Sequence, residues 1–434
     1  MNKRLLFLSL FLFLCHLFVF AQTPIDNDIA FARTVIDTLC SPTMCGRGYS
    51  SNGNTNAARY IAAQFAQIGL QQPPGLSIYQ QPFTVSANTF SGNMLVVVNG
   101  QTLVAGQDYQ IDPKSAGTNG TFAISTINSK LLLNDQKFKK LLHTRSSKKA
   151  LLFDYPDSLS TQLKPKAEQL CQAIKAPLYI HLTDQKLTWH ISAQANKQTQ
   201  LTLKRNALPA AAKTISVAID NEQGKHQTAN IVGFVRGTAQ PDSFLVFTAH
   251  YDHLGQMGKD TYIPGANDNA GGVAMLLDLA RYFTQKPARY SILFIAFSAE
   301  ELGLLGSQYY VENPVFPLKN IRFLINTDIV GTGNEGITVV NATEFPSDFA
   351  QLKALNDTLQ LLPQIKQRGK AANSDHYPFY ENNVPSFFIY TMGGIKAYHD
   401  IYDRPETLPL TKFTALKQLI IAFMEKQSSG VFLK

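Results

Sequence analysis

Apolar positions along this chain fall into three textures. Over residues 26–70 they recur with a helical period. Ala57, Tyr60, Ile61, Gln64, Phe65 and Ile68 mark one face, and Gly69 follows where a C-terminal cap belongs. CGRGYSSNGNT, rich in Gly, Asn and Ser, predicts a loop between this helix and an earlier one. From about Gln80 the apolar runs become short. MLVVV and QTLV flank Asn99-Gly100, a hairpin signal, and TFAISTI, ALLFDY, LYIHLT and LTLKR read as further strands around one helical stretch near residues 166–174. From Thr228 strands alternate with helices, which favours an α/β sheet with parallel strands. NIVGFV, FLVFTAH, SILFIAF, IRFLINT and PSFFIYT lack polar alternation, as expected of strands buried on both faces. Val273, Leu276, Leu277, Ala280 and Phe283 predict one core helix. A last helix, capped by Thr411, turns Phe413, Leu416, Ile420, Phe423 and Met424 inward. The chain thus divides into an α/β domain over 22–79 and 228–434 and a β-rich α+β insert over 80–227.

With 434 residues, 45% hydrophobic and 16% charged, the chain has the composition of a globular protein and not of a disordered one. Lys3 and Arg4 precede a Leu/Phe-rich run over residues 5–20, and Val19-Phe20-Ala21 predicts cleavage before Gln22. An uncleaved anchor is disfavoured because the run is shorter than the ~20 residues that span a bilayer. Leu14 disfavours a lipid on Cys15. Export to a periplasm or the exterior is therefore expected, with no stable membrane insertion once residues 1–21 are gone. The net charge of +8 falls to +6 with Lys3 and Arg4 removed. Lys137, Lys139, Lys140, Arg145, Lys148 and Lys149 concentrate part of it, and without interleaved aromatics they read as a solvated face, with no nucleic-acid partner. Cys40 and Cys45 are spaced to close a small loop, and Cys171 would then stay unpaired.

The chemistry lies where the buried runs end. FLVFTAH is followed by Tyr251, Asp252 and His253; SILFIAF by Glu300 and Glu301; IRFLINT by Asp328; and GANDNAGG puts Asp268 just before a helix. Buried charge without a partner is costly. In open α/β sheets ligands gather beyond the carboxyl ends of strands. Imidazole and carboxylate donors without thiolate suit Zn²⁺, with Co²⁺ or Mn²⁺ as alternatives. Each residue also has an ordinary reading alone: Glu300 and Glu301 as an acidic first helical turn, Asp268 as a cap, His399 as a loop residue. His143, His181 and His190 stand alone and read as exposed or satisfied side chains.

HYDHLG, GANDNAGG, SAEELGLLGS, NTDIVG and YHDIYDRPET, in that order, resemble the motif set of the M28 family of zinc peptidases, over about residues 25–70 and 226–434. The insert occupies the place of that family's protease-associated domain, which KALLFDYP and AEQLCQAIKAPLYIHL resemble faintly. The resemblance implies a three-layer sandwich around a mixed, mostly parallel sheet, and a site with two zinc ions. His250 and Asp328 would hold one ion, Glu301 and His399 the other, and Asp268 would bridge them. Glu300 would be the general base and Asp252 would orient His250. His253 is a candidate supporting residue. Asn373-Ser374-Asp375-His376 resembles the segment lining the family's substrate pocket, which makes Ser374 and His376 substrate-side candidates. The tyrosine that some members carry just upstream is missing between Gln367 and Asn373, leaving Tyr398 and Tyr251 as substitutes for polarising the carbonyl.

The function expected is an exported aminopeptidase acting on peptides. Glutaminyl cyclases resemble the same family with a related ligand set and one zinc, and are the alternative. The uninterrupted GLLGS after Glu301 and the insert favour the peptidase. A non-catalytic binding module on the same fold would typically have lost ligands or the base. The sequence carries no signature of an oligomeric state.

Overall fold

The computed structural model describes residues 24–144, 146–209 and 211–429. The leader expected over residues 1–21 and its cleavage point lie outside them, as does Arg145. Two eight-stranded sheets organise the chain. The first comprises β1 (Gln80–Thr89), β2 (Glu222–Val235), β3 (Gln240–His250), β4 (Tyr290–Phe297), β5 (Ile321–Thr327), β6 (Ile337–Val340), β7 (Ile365–Gln367) and β8 (Ser386–Thr391), in the spatial order β1-β2-β4-β3-β5-β8-β6-β7. The pairs β4–β3, β3–β5, β5–β8 and β6–β7 are parallel and the other three antiparallel, so the sheet is mixed with a parallel centre.

The central strands explain the unbroken apolar runs. Leu245, Phe247, Ala249, Ile292, Phe294 and Ala296 point to one face, and Phe244, Val246, Leu293, Ile295 and Phe297 to the other. Each set enters its own core, so polar alternation has no place. The helices α1 (Pro24–Leu39), α2 (Gly53–Ile68), α3 (Gly271–Gln285), α5 (Pro346–Leu359) and α7 (Phe413–Ser428) cover the first face. Between them in sequence, α4 (Leu305–Glu312) and α6 (His376–Glu381) cover the second through Tyr310 and Phe379. This is a three-layer α/β sandwich. Gly69 ends α2 in the left-handed region, with Leu70 N–H donating to the Phe65 carbonyl at 3.0 Å, as its position predicts. Thr411 does not cap α7. The helix begins at Phe413 without a side-chain cap, although Phe413, Leu416, Ile420, Phe423 and Met424 are all fully buried.

The second sheet takes residues 94–219, with three helices packed on one face. Asn99-Gly100 turns its first hairpin, Val98 pairing with Gln101. The boundary drawn at Gln80 falls too early for the sheets, because β1 pairs along its whole length with β2 in the first one. Short apolar runs give a strand but not its partner, so texture alone misplaced it. The other face of the second sheet buries Leu254, Met257 and Ile263, with Ile401 packed against them, so residues from outside the insert complete its core.

One polar contact ties three helices together. Lys417 Nζ on α7 lies 2.8 Å from Asp278 on α3 and 2.8 Å from Asp28 on α1, and both Lys417 and Asp278 are buried. Removing one partner of a buried pair leaves the other charge uncompensated, which costs about 3–5 kcal/mol. Lys417→Ala is expected to lower the thermal midpoint by on the order of 10 °C, measured by calorimetry or circular dichroism.

Candidate active site

The sheet delivers the site residues as its strand ends predict. His250 is the last residue of β3, Asp328 follows β5 directly, and Glu300 and Glu301 lie in the turn between β4 and α4. Asp268 stands in the irregular turn Ala266–Ala270 that enters α3. His399 comes from the loop between β8 and α7, in the left-handed region at φ 52°.

These side chains converge. His250 Nε2 lies 3.3 Å from Asp268 Oδ1 and 3.4 Å from Asp328 Oδ1. His399 Nε2 lies 3.0 Å from Asp268 Oδ2 and 3.4 Å from Glu301 Oε2. Asp268 therefore faces one imidazole with each oxygen. Ligand atoms of His250, Glu300 and Asp328, and separately of His253, Asp268 and Glu301, fall within 4.8 Å of one another.

The charge balance fits divalent cations. Asp252, Asp268, Asp328 and Asp375 are buried, and Glu300 and Glu301 lie beside them. Among the described residues no Lys or Arg forms an ion pair with any of the six. Asp328 Oδ1 has no hydrogen-bond partner although it is buried. Burial, then the negative charges of Glu301, Asp328 and Asp375, hold the Glu300 carboxyl well above the usual carboxylate range. A set of oxygen and imidazole donors with so much uncompensated negative charge is what Zn²⁺ or a similar ion would neutralise.

Supporting contacts fix each donor. Thr248 Oγ1 donates to Asn326 Oδ1 at 2.7 Å, Asn326 Nδ2 donates to Ser374 Oγ at 2.7 Å, and Ser374 Oγ donates to Asp328 Oδ2 at 3.0 Å. This relay leaves Oδ1 of Asp328 turned towards His250. His253 Nδ1 lies 2.7 Å from Glu301 Oε1, a supporting position. Asp252 differs from expectation. The Nδ1 of His250 meets the Asp252 backbone carbonyl at 3.2 Å, while the carboxylate stands 3.8 Å away. That carboxylate instead accepts the amides of Glu300 and Glu301 at 3.1 and 3.3 Å and the Tyr49 hydroxyl at 3.3 Å. Asp252 thus positions the glutamate pair more directly than it positions the histidine.

The substrate-side expectations need correction. Ser374 is fully buried and its hydroxyl is engaged with Asp328. His376 is also fully buried, its ring 5.3 Å from that of Phe388, and burial lowers its pKa to about 3. Neither presents an accessible polar atom. The motif carries their proximity to the site but not the direction in which the turn before α6 and the first residue of α6 point them. Tyr251 is excluded from polarising a substrate carbonyl, since it is fully buried and its hydroxyl donates to the Ala229 carbonyl at 2.8 Å. Tyr398 is exposed at the rim, stacked on His399 with ring centroids 3.9 Å apart.

Three supporting residues escaped the sequence reading. Asp403 accepts the amides of Asn267 at 2.9 Å and Asp268 at 3.0 Å, fixing the turn that carries Asp268. It stands in YHDIYDRPET, so the motif contained it without stating its role. Arg47, fully buried in the Gly-rich loop, donates to the carbonyls of Leu39, Tyr251, Pro264, Gly265 and Asp268. Gly265 makes that approach feasible: its φ is 63°, and a Cβ there would collide with the Asp268 carbonyl, His253 and Arg47. His190, read as a lone histidine, lies beside His399. Cys40 and Cys45 do not pair. Cys40 Sγ lies 3.9 Å from Arg47 Nη1, and Cys45 Sγ faces the Pro42 carbonyl at 3.4 Å.

Because supporting partners of metal ligands typically contribute about 10–100-fold in affinity, Ser374→Ala is expected to weaken divalent-ion binding by about that factor. Competition with a chromophoric chelator measures it.

A carboxylate–imidazole cluster at the carboxyl edge of a mixed α/β sheet has the donor set of a divalent-cation site. Residues 230–424 match the profile described as Peptidase family M28. Aminopeptidase YwaD of Bacillus subtilis is 35% identical over 162 residues, 36% of this chain and 34% of the relative. A probable leucine aminopeptidase 2 of Aspergillus oryzae is 28% identical over 193 residues, 42% of this chain and 37% of the relative. The chain thus spans little more than a third of the length of these two relatives. In fold, it is similar to BSAP, a zinc aminopeptidase from Bacillus subtilis, with a TM-score of 0.67 at 21% identity over 92% of this chain and 94% of that one. A Peptidase M28 precursor from Shewanella amazonensis gives 0.64 at 17% identity, over 94% and 98%.

Proposed function

We propose that this chain is a zinc-dependent aminopeptidase that removes N-terminal residues from peptides. The observation that carries the reading is Asp268, whose two oxygens face His250 and His399 separately at 3.3 and 3.0 Å. In this reading His250 and Asp328 would hold one zinc ion and His399 and Glu301 a second, with Asp268 offering one oxygen to each pair. The names of the relatives, which include zinc metalloproteases, support the choice of metal. When bound, such ions polarise the scissile carbonyl and lower the pKa of water towards neutrality.

The protein's own groups do the remaining work. Glu300, held by its backbone amide on Asp252, takes a proton from the attacking water at its carboxylate. It then delivers that proton to the leaving amine. Asp252 and Asp403 keep the Glu300–Glu301 turn and the Asp268 turn in register through five amide contacts. Tyr398 stands at the rim, where an incoming peptide passes it.

Export through the N-terminal leader belongs to this proposal, and the +6 mature charge and free thiols are compatible with either side of a membrane. Among the described residues no helix is long and apolar enough to cross a membrane.

A panel of fluorogenic aminoacyl substrates, N-terminally free and blocked, tests the proposal with and without chelator. Turnover of free substrates that chelation abolishes is expected. Activity on blocked peptides alone, or none with metal loaded, contradicts it. Cyclisation of Gln-peptides at one ion per chain would establish the cyclase in its place.

A further inference from the structure

Among the described residues, segment 186–190 of the insert reaches the candidate metal centre. Lys186 Nζ donates to the carbonyls of Lys396 and Tyr398, at 2.9 Å each, and pairs with Asp400 at 2.6 Å. Trp189 N–H donates to the His399 carbonyl at 2.9 Å. His190 Nδ1 lies 3.2 Å from His399 Nδ1, with the two rings edge to face and their centroids 4.9 Å apart. Every backbone carbonyl from Lys396 to His399 that these contacts engage belongs to the loop bearing a metal-ligand candidate, and the partners all come from the insert.

The insert side of this contact is firmly anchored. Trp189 is buried in the core of the second sheet, its indole N–H donates to the Ile111 carbonyl at 2.9 Å, and its ring meets Phe90 edge-on at 6.4 Å. Leu187 is buried beside it. Just beyond, the Ser192 carbonyl accepts the Asn88 amide at 2.8 Å. On its other side the His399 loop is tied to the Asp268 turn through Asp403, whose carboxylate accepts the Asn267 and Asp268 amides. It lacks regular secondary structure around His399, and His399 sits in a backbone region unfavourable for a residue with a Cβ.

From this geometry we infer that His190 is a positioning residue for the metal centre, acting through His399, and that the insert thereby completes the site. The inference rests on the two-ion reading above. An imidazole that binds a cation through Nε2 must carry its proton on Nδ1. His399 presents Nε2 to Asp268 and Glu301, so its Nδ1–H is the donor and His190 Nδ1 the acceptor, with the proton of His190 on Nε2. A metal-binding histidine usually has a carboxylate, carbonyl or water at this outer nitrogen. Here a second imidazole takes that place, and it is supplied from the insert.

The test compares wild type, His190→Phe, which keeps a ring but removes the acceptor, and His190→Asn, whose side-chain carbonyl restores an acceptor near the same point. Zinc binding is measured by competition with a chromophoric chelator, alongside kcat, KM and the thermal midpoint of the metal-free protein. For His190→Phe a loss of about 10–100-fold in affinity for one ion is expected, with the other ion, KM and the metal-free midpoint little changed. His190→Asn should recover most of that affinity. Two ions bound by His190→Phe as tightly as by wild type would overturn the positioning role and leave the two-ion reading standing. A drop in midpoint shared by both variants, without a change in ion affinity, would mark the contact as merely structural and overturn it as well. Wild type that binds fewer than two ions would overturn both readings together.

Discussion

Replacing Glu300 by glutamine is expected to lower kcat by about 10²–10⁴-fold, the range of a positioned general base, while ion content and thermal midpoint stay at wild-type values. The substitution keeps the shape of the side chain and the amide contact to Asp252, and removes only the ability to accept a proton. Its outcome also resolves an ambiguity in the site. A Glu300 oxygen lies within 4.8 Å of ligand atoms of both His250 and Asp328, close enough for Glu300 itself to serve as a ligand. If it does, the glutamine variant should lose an ion along with activity. Full ion content with activity nearly abolished assigns Glu300 to proton transfer. Wild-type turnover in the variant would remove it from the mechanism altogether.

The second large effect concerns Asp268. Its two oxygens each face a different imidazole, so Asp268→Ala is expected to weaken both ions, whereas His399→Ala weakens one. Each loss should exceed the roughly 10–100-fold that removal of a supporting partner costs, because a direct donor is gone and the remaining carboxylates are left facing one another. Atomic-absorption or mass-spectrometric metal analysis after gel filtration distinguishes the variants. Equal loss of both ions in His399→Ala would argue that the two positions do not fill independently.

Much of this was legible in the sequence, and the reasons are physical. Strands buried on both faces produce runs such as SILFIAF that few other environments tolerate, so the parallel centre of the sheet was readable. Charged residues at the ends of those runs drew attention to His250, Glu300, Glu301 and Asp328, and Asp268 stood just before a helix, but each has an ordinary reading alone and only their joint order pointed to a site. His399 could be named only because its surrounding motif resembled a family pattern. A lone loop histidine carries no periodic signal. The contributions of Asp403 and Arg47 were hidden for another reason: both act through backbone amides or carbonyls, which no side-chain pattern records. The failures at Ser374 and His376 come from orientation. Their motif placed them in the neighbourhood, but the turn before α6 buries Ser374 against Asp328 and the first residue of α6, His376, is buried against Phe388. His190 was dismissed because its partner lies 209 residues away in the chain, across two sheets that sequence texture treats as separate.

That last contact changes how the insert is viewed. The second sheet's core includes Leu254, Met257 and Ile263 from the strand-end region of the first domain. The same insert grips the His399 loop through Lys186, Trp189 and His190. Packing and site geometry are therefore coupled across the boundary, and removal of the insert would expose apolar surface and release the loop together.

On the proposed reading one chain would hold two ions, one on either side of Asp268. Titrating metal-free protein with Zn²⁺ while following free ion and turnover in the same sample tests it most directly. The expected result is saturation at two ions per chain, with full hydrolysis of free aminoacyl substrates only as the second site fills. Saturation at a single ion, with turnover already complete, would contradict it.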